Sequence, residues 1–269
     1  MIIDIHVHSR PGQRAEEILR GMDAAGVDKL VLFALPPQWE GGPGGPATMD
    51  EASEDLAKIA AQGQGCIIPF AWIEPTLPDA VAAVDHAVND LGFRGVKMIP
   101  NHWYPTEERL FPVYAKIEEL GVPVLFHAGI LWGHADGSRF CHPVYYEVLL
   151  HFPKVRFALA HIGWPWVDEC LAVAGRFRAA VQGTGQPVQM WIDTTPGTPA
   201  LWRPEALRKT FAYLGDEQVL WGSDATGTNI ADAGRTLAED RRILREVLGG
   251  SAETERRWLG ENAARFLGL

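Results

Sequence analysis

Cysteine, basic charge and long apolar runs are all scarce in this chain, and each shortage closes off a class of protein. Only Cys66, Cys141 and Cys170 occur in 269 residues, far apart and with no C-x-x-C pair. That excludes a disulfide framework and leads us to expect buried thiols in a reducing compartment. Lys and Arg number 24 against 34 Asp and Glu, for a net charge of −10, so no basic face is expected for a nucleic-acid partner. Arg241-Arg242 and Arg256-Arg257 sit among acidic residues and read as solvated helix faces. No apolar run is long enough to span a bilayer, and the chain opens on a strand without a basic leader. The expectation is a cytoplasmic protein with neither membrane nor nucleic-acid partner; self-association stays open.

What the chain has is a period. Apolar, β-branched runs begin near Ile2, Lys29, Cys66, Phe93, Val122, Val155, Val188 and Gln218. Helical patterns lie between them, as at 16–25, 77–91, 107–120 and 206–214. Strands alternating with helices imply parallel pairing, and eight such units over one chain fit a single-domain α/β (β/α)8 barrel, 1–269. An open doubly wound sheet usually carries a Gly-rich phosphate turn after its first strand, and none follows His8. Pro78 and Pro204 fit first-turn positions of helices, and Gly121 fits a helix stop. The stretch 36–46 (PPQWEGGPGGP) can be neither helix nor central strand, and reads as a long loop or lid on the C-terminal face.

Chemistry-bearing residues collect at the C-terminal ends of these runs. The first run ends in His6 and His8, whose spacing puts both imidazoles on one side of a strand. The fourth carries Lys97, the fifth ends in His127, the sixth in His161 and the eighth in Asp224. Any one histidine alone would read as capping a neighbouring carbonyl. All of them at one edge of successive strands surround a single axis, as a metal site requires. Nitrogen and oxygen donors suit a divalent cation, zinc first, with manganese or iron as alternatives and one or two ions expected. Such a site activates water as a nucleophile near neutral pH. Lys97 admits three readings: a carboxylated bridge between two metals, an ammonium that binds an anionic substrate, or an ion pair.

The motifs IDIHVH, GFRGVKMIP, VLFHAG, FALAHIGWPW, LWGSDA and the closing GENAARFLGL resemble the amidohydrolase superfamily. The similar branch is the amidohydrolase-related (amidohydrolase 2) group of TIM-barrel metal-dependent hydrolases, which includes aminocarboxymuconate-semialdehyde decarboxylase. The resemblance runs from Ile2 to the C-terminus. It implies metal ligands at His6, His8, His127 and Asp224, with Asp224 also shuttling the proton. It implies that His161 binds a second metal or hydrogen-bonds the catalytic water, and that Lys97 occupies the strand of the carboxylated lysine. The chain departs at Lys97-Met98-Ile99-Pro100, where this branch often reads K-x-H-P.

On the substrate side, Trp39, Trp72, Trp103, Tyr104, Trp132, Trp164 and Trp166 fall in loops, where they either line an apolar pocket or pack a lid or interface. Trp132, Trp164, His102 and Arg139 are the candidate substrate contacts, with His134 beside them; Arg139 is the candidate fork for a carboxylate. Three functions are compatible with the motif set. One is a metal-dependent hydrolase of an amide, lactone or ester-like bond in a small carboxylated molecule, with catalytic Asp224 and His161. Another is a metal-dependent non-oxidative decarboxylase of an unsaturated or aromatic acid. The third is an inactive barrel kept for binding, which the intact donor set argues against.

Overall fold

The computed structural model describes residues 1–37, 45–227 and 229–269. Most of the proline- and glycine-rich stretch, Trp39 included, lies outside them, so the expected lid does too. The eight runs form parallel strands: β1 (Ile3–His8), β2 (Lys29–Phe33), β3 (Ile67–Trp72), β4 (Gly95–Met98), β5 (Val124–Phe126), β6 (Phe157–Leu159), β7 (Met190–Asp193) and β8 (Val219–Leu220). They neighbour one another in chain order. The eighth run, expected as one strand, is broken. After β8 the chain leaves the ladder and returns as β9 (Ala225–Thr226), which pairs with Val7 and His8 of β1. Ile5 N–H also donates to the Trp221 carbonyl at 3.1 Å. The segment 219–226 thus meets β1 on both sides of the break and closes the barrel.

The break has local causes. The Trp221 indole donates to Asp240 Oδ2 at 3.0 Å. Ser223 donates to Asp4 through its amide at 2.9 Å and its hydroxyl at 2.5 Å. Asp224 takes a left-handed backbone, φ 57°.

Side-chain alternation divides the strands into two layers. Leu30, Leu32, Val96, Val124 and Phe157 pack outward against helices, whereas Val31, Phe33, Ile68, Phe70 and Leu125 fill the interior. Ala263, Phe266 and Leu267 of the last helix plug the same inner cluster. In β1 the register slips: Asp4 pairs with Leu30 and Val7 with Leu32, so Ile5 and His6 together oppose Val31 alone. This bulge resets the alternation. Ile3 and Ile5 face the interior before it, and His6 and His8 face it afterwards.

The outer layer holds α1 (Ala15–Ala25), α2 (Met49–Gln62), α3 (Ala80–Asp85), α4 (Phe111–Leu120), α5 (Val167–Val181), α6 (Arg203–Leu214), α7 (Ala233–Glu246), α8 (Ala252–Arg256) and α9 (Asn262–Leu267). Gly121 stops α4 with φ 66° and donates to the Ile117 and Glu118 carbonyls, as its position suggested. Pro204 sits in the first turn of α6, where a missing N–H costs little. Pro78 does not fit the expectation: it precedes the cap residue Asp79 and belongs to the turn ahead of α3. Short 3-10 turns, Gly137–Phe140 and Pro143–His151, link β5 to β6. No helix of the described residues is long and apolar enough to cross a membrane. The described thiols are free, with Cys141 and Cys170 buried and Cys66 half-buried.

Arg203 and Asp240 join α6 to α7 through a buried fork of 2.8 and 2.6 Å, and the same carboxylate holds Trp221 beside the break. Asp240→Ala would strand a buried guanidinium and an indole N–H. A loss of about 3–5 kcal/mol of unfolding free energy is expected in urea denaturation. A loss below about 1 kcal/mol would show that the fork does not secure this corner.

Candidate metal centre

Three donor atoms meet at the C-terminal mouth of the barrel. His6 Nε2 lies 3.2 Å from His8 Nε2, and each lies 3.4 Å from Asp224 Oδ1. Ligands about 2.1 Å from a common centre in tetrahedral array stand about 3.4 Å apart, so these edges have the dimensions of a coordination polyhedron. His6, His161 and Asp224 also offer one donor each within 4.8 Å of one another.

The opposite ring nitrogens show which lone pairs are free. His6 Nδ1 is 2.6 Å from Asp193 Oδ2, and donating its proton to that carboxylate leaves Nε2 bare. His127 Nε2 donates to the Ile130 carbonyl at 3.2 Å, so its Nδ1 is the bare atom. His161 Nδ1 is 3.1 Å from the Thr195 hydroxyl, and its ring lies 5.0 Å from that of His127. Burial, with Lys97 nearby, holds His6 far below the ordinary imidazole range. Burial and the His161 ring do the same for His127, and burial brings His161 down to about 4. All three are neutral donors at physiological pH, the form a metal takes. Burial alone would raise the Asp224 carboxyl. The His8 hydrogen bond and the nearby Lys97 ammonium outweigh it, so Asp224 is held below its usual range and ionised.

Lys97 is 1% exposed. Its ammonium lies over the Phe33 ring, 4.8 Å from the centroid, and 3.4 Å from His6 Nε2. Burial pushes its pKa down, against the pull of Asp193 and Asp224. The backbone is unusual at the two residues expected to be catalytic: His161 has φ 60° and Asp224 φ 57°. Non-glycine residues rarely adopt this region, and such strain collects where a fold aims a functional group. Gly197 makes room for His161, since a Cβ there would lie 2.5 Å from its Cγ.

The six residues expected at the metal therefore converge: His6, His8 and Asp224 at ligand spacing, His127, His161 and Lys97 around them. The substrate candidates divide. A cavity of about 190 Å3 is lined by His8, His127, His161 and Asp224 on one side and by Ile99, Ile130, Leu131, Trp132 and Trp164 on the other. Arg139 is not part of that lining; it is exposed, its guanidinium 4.8 Å from the Phe140 centroid. His102 leans away on the buried Glu74 carboxylate at 3.6 Å and is 49% exposed. His134 instead accepts Gly137 N–H in a turn. Trp103 is buried and donates to Glu74, and Tyr104 packs on Phe140 and Tyr145. Two polar residues escaped the sequence reading. Asp193 and Thr195 follow the seventh run, whose end (WIDTT) carries a carboxylate at the same edge as the others. That position was the available signal.

A family model described as Amidohydrolase matches residues 3–269. The chain belongs to the amidohydrolase family. Over 191 residues it is 26% identical to 2-keto-4-carboxy-3-hexenedioate hydratase of Sphingobium sp. strain SYK-6, covering 60% of this chain and 52% of that one. The chain thus spans about half the length of the curated relative it matches. Among solved structures it resembles 5-carboxyvanillate decarboxylase of Novosphingobium aromaticivorans with bound manganese, at TM-score 0.69 and 16% identity over 100% of this chain and 97% of that one. It also resembles a probable 2-pyrone-4,6-dicarboxylic acid hydrolase of Acinetobacter baumannii, at TM-score 0.66 and 14% identity over 100% and 99%. At these identities the structures speak for the shared barrel alone. Hydratase, decarboxylase and hydrolase all occur among the amidohydrolases it resembles, so membership establishes enzyme kinship and leaves the reaction to the site.

Asp193→Asn keeps the size of the side chain but replaces the charged acceptor of the His6 proton. Apparent zinc affinity, measured by competition with a chromophoric chelator, should fall about 10- to 100-fold while the fold persists. Unchanged affinity would show that Asp193 does not orient His6.

Proposed function

We propose that this amidohydrolase is a divalent-metal-dependent hydrolase that cleaves an amide, lactone or ester-like bond. The observation that carries the reading is the His6–His8–Asp224 triangle, with edges of 3.2–3.4 Å and the His6 ring oriented by Asp193. The donor set fits a metal: His6, His8 and Asp224 would hold it, with His127 completing the shell and zinc preferred for nitrogen and oxygen donors. When bound, the cation supplies Lewis-acid polarisation of a carbonyl and lowers the pKa of water.

The protein's own groups supply the rest. Asp193 and the Ile130 carbonyl fix the His6 and His127 tautomers. Asp224, kept ionised, accepts a proton from the attacking water on its carboxylate and returns it to the leaving nitrogen or oxygen. His161, neutral and anchored on Thr195, faces the same cavity and positions the water or the carbonyl. Ile99, Ile130, Leu131, Trp132 and Trp164 form the apolar wall facing these groups.

The relatives' names describe carboxylated acids. Among the described residues, however, the cavity lining contains no Arg or Lys, and Arg139 stands elsewhere. That lining favours a neutral amide or ester over the carboxylated substrate that Arg139 was expected to anchor.

Protein purified without chelator should carry about one or two equivalents of a transition metal by elemental analysis. Activity on a panel of amides, lactones and aryl esters should vanish on chelation and return with zinc or manganese. Carbon dioxide release from aromatic acids without any hydrolysis on that panel would replace this reading with a decarboxylase.

Asp224→Asn retains one donor oxygen but loses the base. We expect kcat to drop by about 10²-fold or more, with metal content only moderately reduced. Wild-type kcat in this variant would place the proton transfer on another group.

A further inference from the structure

Trp164 belongs to two spaces at once. It walls the metal cavity, and on its other side it lines an open groove of about 520 Å3 between the starts of α5 and α6. Trp166 and Trp202 line that groove with it. Three indoles run from the cavity mouth across the groove as a ladder. Trp132 and Trp164 lie 6.4 Å apart at 17°, and Trp164 and Trp202 lie 5.6 Å apart at 28°.

The ladder is built on fixed backbone. Trp164 N–H donates to the His161 carbonyl at 3.0 Å, and the Trp164 carbonyl accepts from Ile130 at 2.9 Å. Gly129 permits that approach, because a Cβ there would lie 2.3 Å from the Trp164 oxygen. The platform is thus tied to the loops that carry His127 and His161. Nevertheless its outer members stand in water: Trp132 is 73% exposed and Trp202 47%, beside Leu201 at 79%. So much contiguous apolar surface on a rim marks a binding site.

Charge narrows the occupant. The groove carries Asp168, Glu169 and Glu205 against one cation, Lys209. Lys209 already pairs with Asp168 at 2.9 Å and with Glu205 at 3.6 Å. The positive ends of α5 and α6 open here, each worth about half a charge, but the three carboxylates sit in those same first turns and exceed them. An anion is disfavoured, while flat faces lying nearly parallel suit an aromatic ring.

We propose that this groove is a second substrate subsite, sharing Trp164 with the metal cavity, that takes a flat aromatic group carrying no charge or a positive one. The substrate would place its scissile bond at His6, His8 and Asp224 and lay its aromatic end over Trp164 and Trp202. That the occupant is part of a substrate rests on the hydrolase reading. That the groove binds it does not, and metal-stripped protein separates the two.

The probes are tryptamine, indole and indole-3-acetate, titrated into full-length protein with and without metal and followed by the shifts of its isotope-labelled indole N–H resonances. Tryptamine should bind both forms, at least about threefold more tightly than indole-3-acetate, with indole between them. Trp202→Ala should weaken tryptamine about fivefold or more. Glu205→Lys, a change at an exposed position, should reduce or invert the preference for the cation. Equal binding in Trp202→Ala would overturn the subsite, and indole-3-acetate binding as tightly as tryptamine would overturn the charge selection. A dimer in sedimentation that Trp202→Ala dissolves, with no probe binding, would assign the ladder to a second copy of the chain instead. Metal-dependent hydrolysis without probe binding would leave the hydrolase reading standing and remove the subsite.

Discussion

His6 on the first strand and Asp193 on the seventh share a proton across 2.6 Å, and the mouth of the barrel is organised around that bond. It forms only because the ring closes: 219–226 must pair with β1 before residues 187 positions apart become neighbours. Once formed, it sets the His6 tautomer and turns Nε2 toward His8 and Asp224. The neighbouring tie from Asp4 to Ser223 works in the same direction, pulling the loop that carries Asp224 onto the base of β1. Both carboxylates are buried, and burial raises both, Asp4 to about 6. The fold holds two buried carboxylates where they aim the donor residues.

Packing and chemistry meet in the bulge of β1. A regular strand with Ile3 and Ile5 facing inward would send His6 and His8 outward into the helix layer, where Val7 now packs. One extra residue against Val31 lets the same short run fill the barrel interior and present two imidazoles to one point. The left-handed backbones of His161 and Asp224 serve a similar end. In each case the regular ladder is interrupted at the place where a side chain is needed over the axis, and glycine or serine contacts nearby accommodate the interruption.

The rim differs in character from the candidate metal centre. Inside, histidines and carboxylates are tied to one another by hydrogen bonds and ion pairs, whereas outside a row of indoles lies open beside a net negative groove.

Much of this architecture is legible in the sequence, because strand period and alternation are local properties. Eight runs at nearly constant spacing imply the barrel, and four histidines and an aspartate at run ends imply the centre without any knowledge of contacts. Residues whose role depends on closure are hidden from such a reading. Asp193 looks like one more strand-end carboxylate until β7 lies across from β1. Arg139 looks like an anchor until its loop turns it onto Phe140. The break in the eighth strand, the bulge in the first and the continuity of Trp164 with two spaces are all set by which distant segments are pressed together. The sequence alone determined which chemistry the barrel can carry; tertiary structure decided which atom of each ring is free to perform it, because a tautomer is chosen by a partner that only folding supplies.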